Sequence, residues 1–201
     1  MKWREQKMSE KLKKREEVKR EDTWAIEDLF ATDEAWEKEF QELEELCDTL
    51  GSYKGTLFEN AERMADFFKV YENASLILER VYVYAGQKYH EDTTNSKYQG
   101  FSERADALMA KYQESIAFLE PEILSADEKL YKEVTEGFFK QIPEKEEGYR
   151  RFFYEIIRSK EHSLSVEMEE LLASGQEALE AASNIFSMFN NADVKYPSIK
   201  L

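Results

Sequence analysis

The stretch AERMADFFKVYENASLILERVYVYAGQKY, residues 61–89, decides the fold. Ala61, Met64, Phe68, Tyr71, Ser75, Leu78, Tyr82, Ala85 and Tyr89 recur at spacings of three and four, which keeps them on one side of an α-helix. A second row, Phe67, Val70, Ala74, Ile77, Val81 and Tyr84, runs beside the first and widens the apolar arc to nearly half the circumference. The rest of the helix carries Glu62, Asp66, Lys69, Glu72, Asn73, Glu79, Arg80 and Gln87. So broad an apolar face must be covered by several neighbours rather than one. At 1.5 Å per residue the helix would be about 43 Å long. Thr56 and Glu59 have the T-x-x-E spacing of a capping box just ahead of it, and Gly86 is its only interior breaker. Leu78 and Tyr82 are expected in the core.

Towards the N-terminus, Trp36, Phe40, Leu43, Cys47 and Leu50 mark the apolar side of a helix that Thr32 can cap and Gly51 can end. Asp33 and Glu34 suit the positive end of its dipole. Trp24, Ile26, Leu29 and Phe30 form a short apolar cluster placed to pack across that helix start. Residues 1–22 alternate charges with little apolar content and read as a solvated arm.

Towards the C-terminus, His90–Ser96 reads as a polar turn in which Asn95 caps a helix carrying Tyr98, Phe101, Ala105, Leu108, Tyr112 and Leu119. The short connection predicts an antiparallel hairpin of this helix with the central one. Pro121 interrupts the pattern, and Ser125 with Glu128 has capping-box spacing for a shorter helix ending near Gly137. Pro143 opens another, with Tyr149, Phe152, Phe153, Ile156 and Ile157. Ser165 begins the last, with Leu171, Leu172, Leu179, Ala182, Phe186 and Phe189, and Gly175 marks a bend in it. Val194, Tyr196, Pro197 and Ile199 then read as extended. A lone strand leaves its backbone groups unpaired, so this segment is either loop or a strand whose partner follows residue 201. No self-similar period marks a solenoid. The expected fold is all-α: an antiparallel helical array around a long central hairpin, with a short extended segment at its C-terminal end.

Composition agrees. A chain of 201 residues buries roughly 70% of its unfolded surface and needs no staples. Seven Gly and three Pro supply little material for the many turns of an all-β fold. The net charge is −15 although the first 22 residues are net positive, so the remaining surface is strongly acidic. It repels phosphates and anionic bilayers, which excludes nucleic acid and membranes as expected partners. The single cysteine, Cys47, cannot form an internal disulfide. With no signal-like apolar run and no stretch long enough to span a bilayer, a cytoplasmic location is expected.

The residues supply no catalytic centre. His90-Glu91 begins an H-E-x-x-T string in which Thr94 stands where a zinc-binding helix needs its second histidine. His162 lies among the cations Arg158 and Lys160, and neither histidine has the Glu three residues earlier that a di-iron bundle uses. Nucleophile elbows, P-loops and dinucleotide fingerprints are absent. The aromatic row Tyr71, Tyr82, Tyr84 and Tyr89 fits core packing with hydroxyls at the rim, or else a ligand groove. Arg158, His162, Tyr82 and Tyr89 are the residues that qualify as structural or cleft-side candidates.

A set of strings, in order from about Thr23 to the last residue, resembles the N-terminal part of the M3 zinc metallopeptidases, specifically oligoendopeptidase F. They are Thr23-Trp24-Ala25-Ile26-Glu27-Asp28-Leu29-Phe30 leading into Asp33-Glu34-Ala35-Trp36; Tyr84-Ala85 with Glu91-Asp92-Thr93-Thr94-Asn95 and Tyr98-Gln99; and Glu120-Pro121-Glu122-Ile123-Leu124. The most specific is Arg158-Ser159-Lys160-Glu161-His162-Ser163-Leu164-Ser165 with Glu170-Leu171-Leu172-Ala173. Phe186 through Ala192-Asp193-Val194-Lys195-Tyr196-Pro197-Ser198-Ile199 resembles the approach to a β-hairpin. The resemblance implies a mostly helical peptidase for short unstructured peptides, with this segment forming part of one wall of a deep cleft. The family's zinc sits in an HExxH helix with a later Glu, the motif Glu serving as general base. No ligand of that site maps onto this chain. Residues 1–22 are then an arm, 23–192 a helical N-terminal domain, and 193–201 the start of a segment continuing into a missing catalytic region. Zinc would belong to the full-length protein and not to this segment, which would be inactive alone. The alternative is a free-standing helical module that binds a partner helix or peptide through an exposed aromatic groove; a metal-independent enzyme has no residue constellation behind it.

Overall fold

In the computed structural model, which describes residues 17–160 apart from Thr93 together with Ala182, Ile185 and Phe186, the described residues are helical or in turns and form no strand. The chain divides into two compact units, residues 18–160 and a second unit made of residues 1–17 and 161–201. Six helices build the first unit: α1 (Asp33–Gly51), α2 (Ala61–Glu91), α3 (Ser96–Ile116), α4 (Leu119–Ser125), α5 (Glu128–Phe139) and α6 (Glu146–Ser159). Of the helix expected after Ser165, Ala182, Ile185 and Phe186 are helical and exposed; its other residues and the extended segment lie outside the described residues. No described helix is long and apolar enough to cross a membrane.

The helix starts show which caps the chain uses. Thr32 caps α1, its hydroxyl accepting the Ala35 N–H at 3.2 Å. At α2 the expected Thr56/Glu59 box is replaced by Asn60, whose side chain accepts the Arg63 N–H at 2.8 Å. Thr56 belongs to the preceding turn, where its hydroxyl donates to the Tyr53 carbonyl. That turn passes through Gly55 at φ +80°, a conformation that side chains disfavour. Asn95 caps α3 as expected. Asp127, not Ser125, caps α5 by accepting from Lys129 and Leu130; the Ser125 hydroxyl turns back to the Glu122 carbonyl. An aspartate next to the first helical residue reaches two free N–H groups at once, which Ser125 is too far back to do. α3 ends at Ile116, so Leu119 belongs to α4 instead. Pro121 falls in the first turn of α4, where a missing N–H costs no helical bond. His90, expected in a turn, is in the last turn of α2.

α2 runs antiparallel to both its bundle neighbours. Against α3, the Tyr71 and Tyr112 rings meet near one end, and the Lys88 ammonium lies over the Tyr98 ring near the other. α1 and α3 are therefore parallel, tied in matching order by Asp33–Lys97, Glu37–Arg104 and Asp48–Lys111. Between them Trp36 is fully buried, donates from Nε1 to the Val81 carbonyl at 2.9 Å and stacks on Phe101 at 4.2 Å. Cys47, further along α1, is buried in the same core. Leu78 is buried, as the spacing predicts, but Tyr82 is 40% exposed. The apolar arc of α2 is covered most completely over its second row, where Phe67, Ala74, Ile77, Val81 and Tyr84 are all buried. Tyr82 falls at the rim instead, its hydroxyl towards Asp106 of α3, which raises its pKa.

The first half of α2 also carries α5 and α6. Phe68 is the hub, with Tyr149, Phe138, Phe153 and Phe152 at ring distances of 4.8–5.8 Å. α5 comes so close that a Cβ on Gly137 would meet the Ala61 Cβ at 2.7 Å. Ahead of α1, Ile26 and Phe30 are buried, with Phe30 edge-on to Tyr84. Trp24 departs from its expected place in that cluster and is 82% exposed. The short 3-10 turn Ile26–Asp28 buries Ile26, and Trp24 precedes that turn.

Candidate functional site

The parallel pair α1–α3 has two ends with different chemistry. At the N-terminal end Asp33 gathers three donors: Tyr84 at 2.7 Å on one oxygen, and Lys97 at 2.5 Å and Tyr98 at 3.3 Å on the other. Burial pushes the Asp33 carboxyl up, but these three hydrogen bonds and the Lys97 charge outweigh it and hold the pKa below the usual carboxylate range. Burial and the Asp33 charge push the Tyr84 hydroxyl well up, so it stays a donor. The cluster joins α1, α2 and α3, with its strongest polar groups paired to each other.

The C-terminal end is an open groove of about 960 Å³. Cys47 and Asp48 of α1, Lys111 and Glu114 of α3, and Phe118, Pro121 and Glu122 of the α3–α4 junction line it. Lys111 donates to the Glu44 carbonyl at 3.1 Å and pairs with Asp48 at 2.8 Å, which raises its pKa. The Glu122 carboxylate accepts the Gly55 N–H and pins the α1–α2 turn to α4. Burial pushes the Cys47 thiol up, which leaves it protonated and a poor nucleophile. Shallower depressions run along α6, where Glu72 accepts from Lys145 at 2.6 Å and Tyr149 at 2.7 Å.

Of the sequence candidates, Tyr82, Tyr89 and Arg158 lie among the described residues, the first two on α2 and the third on α6. Tyr82 and Tyr89 lie two turns apart on α2, one exposed and one half-buried, with the Tyr89 ring beside His90. Arg158 is in the last turn of α6, exposed and paired with Glu155 at 2.8 Å. His162 lies outside the described residues. Among the described residues, no group of three or more His, Cys, Asp or Glu side chains could hold a metal ion. The groove between the helix ends was not among the sequence candidates. Its one legible sign is that neither α1 nor α3 has a basic residue in its last turn.

Comparison with known proteins places this geometry. Residues 122–196 match the M3 peptidase N-terminal family model, described as Oligopeptidase F. The chain is 41% identical over 198 residues to Oligopeptidase PepF of Bacillus subtilis, covering 98% of this chain and 28% of that protein. It is 38% identical to Group B oligopeptidase PepB of Streptococcus agalactiae over 88% of this chain and 29% of that protein. The crystal structure of oligoendopeptidase-F from Enterococcus faecium superposes with a TM-score of 0.61 at 33% identity, covering 83% of this chain and 31% of that one. The chain thus spans about three-tenths of the length of the relatives it matches. Its resemblance to the N-terminal segment of oligoendopeptidase F extends over nearly all its residues.

Proposed function

We propose, from the premise that this chain is an oligoendopeptidase F-like N-terminal segment, that it forms a wall of the cleft in a zinc-dependent endopeptidase for short oligopeptides. The observation that supports this most is the 41% identity to Oligopeptidase PepF over 98% of the chain, against 28% of the longer relative. Zinc, which the family resemblance implies, does not fit the described residues: His90 is exposed at the end of α2, and no metal-holding group surrounds it. The family resemblance puts the metal in an HExxH helix, a motif that this sequence does not contain, so no catalytic step is assigned to residues 1–201. The role of these residues is scaffolding, through the continuous core from Trp36 to Phe153, together with shaping the space that admits a peptide. A cytoplasmic site of action belongs to the same proposal.

Two preparations test it. The full-length gene product should retain zinc and cleave short peptides, and a chelator should abolish the cleavage. Residues 1–201 alone should fold, retain no stoichiometric zinc and cleave nothing. Turnover by the isolated segment, or full-length protein whose peptidase activity ignores zinc removal, would overturn the proposal.

A further inference from the structure

We propose that the groove at the shared C-terminal end of α1 and α3 binds the cationic side chain of a peptide, lysine or arginine, with its charge at Glu114 and its stem on Phe118 and Pro121. The proposal rests on the peptidase reading only for the choice of a peptide as the bearer of the cation.

Helix polarity comes first. Each helix carries roughly half a negative charge at its C-terminus, usually offset by a nearby Lys or Arg. α1 and α3 are parallel, so two such ends meet on the same side of the bundle, and neither has a basic residue in its last turn. The protein's own Lys111 shows how an ammonium is received there, between the Glu44 carbonyl and the Asp48 carboxylate. The last carbonyls of α1 are taken by the N–H groups of Ser52, Tyr53 and Lys54 in the turn that follows. Of the two remaining lining carboxylates, Glu122 is engaged by the Gly55 N–H. Glu114, in the last turn of α3, has no ion pair among the described residues and faces the groove.

Shape and lining argue for an organic cation over a bare metal ion. About 960 Å³ is at the large end of the roughly 300–1,000 Å³ of small-ligand pockets. Cys47, Phe118 and Pro121 offer apolar walls, and a lysine or arginine side chain presents a long apolar stem below its charge. A metal ion would need three or more clustered donors, which the described residues do not provide. An anion is disfavoured because Lys111 is already neutralised by Asp48, which leaves the exposed Lys54 at the mouth against two carboxylates.

The test titrates residues 1–201 with blocked pentapeptides, Ala-Ala-X-Ala-Ala, where X is lysine, arginine, norleucine or glutamate, read by calorimetry. Lysine and arginine should bind about threefold to fivefold more tightly than norleucine, the range of one partly exposed ion pair. Added salt should erase that margin. Glu114→Gln should remove the margin and leave norleucine binding unchanged, while Lys54→Glu should widen it. Equal binding of lysine and norleucine, a margin that survives Glu114→Gln, tighter binding of the glutamate peptide, or no binding by the series would each overturn the proposal. Hydrolysis by the full-length protein is read separately. Loss of hydrolysis with the lysine margin intact would count against the peptidase reading and leave the groove standing.

Discussion

The two ends of the α1–α3 pair share one scaffold and finish it in opposite ways. At the N-terminal end, capping side chains and the Asp33 cluster satisfy the helix starts from within: Thr32 and Asn95 take backbone N–H groups, and Asp33 takes Tyr84, Tyr98 and Lys97. At the C-terminal end the last carbonyls of α1 take the backbone N–H groups of Ser52, Tyr53 and Lys54, the Glu114 carbonyl takes that of Ala117, Lys111 bridges Glu44 and Asp48, and the remaining side chains face an open groove. Helix ends always leave backbone groups in need of partners. One end is therefore closed by side chains that hold three helices together, and the other leaves the Glu114 carboxylate at an open groove. Apolar changes should hurt equally at both ends, because the core is continuous, whereas polar changes should hurt only at the closed end.

The largest effects test the first half of that statement. Trp36 sits near the closed end and Leu50 near the open one, and both are fully buried. Trp36→Ala should cost about 3–5 kcal/mol and Leu50→Ala about 2–5 kcal/mol by urea unfolding. A near-neutral Leu50→Ala would mean that the core does not reach the groove, and the comparison would fail.

Next in size are changes to the closed polar cluster. Tyr84→Phe removes a buried hydroxyl from Asp33 and should cost about 1–2 kcal/mol. Asp33→Asn keeps an acceptor but loses the charge that Lys97 pairs with, and should cost about 1 kcal/mol at neutral pH. The sign with pH follows from the lowered folded pKa of Asp33. Its contribution is present above the ordinary carboxylate range and is lost as pH falls through the depressed value. Wild type and Asp33→Asn should therefore differ near neutrality and converge as pH falls below the ordinary carboxylate range through that depressed value. A gap that persists unchanged in acid would show that the loss is packing, not charge.

The contrast between the ends also marks how far the sequence could be read. Three–four spacing located α1, α2 and α3 because their apolar faces are wide and continuous, and Thr32 and Asn95 were legible as caps because each directly precedes its helix. The Thr56/Glu59 and Ser125/Glu128 pairs have the right spacing, yet Asn60 and Asp127 lie nearer the first free N–H groups and take them. Periodicity fixes which face of a helix is apolar but not how far its neighbours extend over it, so Leu78 was placed correctly and Tyr82 was not. Apart from the missing basic residues in the last turns of α1 and α3, neither site-like end was legible. Asp33 meets Lys97 and Tyr84 across more than fifty residues of sequence, and the groove exists only because α1 and α3 come out parallel, which no local pattern records. Family resemblance read from ordered strings reached further than residue chemistry, because it needs no single diagnostic residue.

The smallest effects separate the ends most sharply. Glu37 and Arg104 form a two-point pair on the flank of the closed end, 2.7 Å at each contact, with both side chains more than one-third exposed. Solvent screening limits such a pair to about 0.5–1 kcal/mol, which Glu37→Gln should lose. Glu114→Gln at the open end removes a carboxylate that no described cation holds, and it relieves repulsion with the C-terminus of its own helix. Its effect on unfolding should lie within about 0.5 kcal/mol of zero and on the stabilising side. A loss as large as that of Glu37→Gln would mean that Glu114 already has a structural partner within the chain. The open end would then be closed as well, and the groove would have no charge left to offer a ligand.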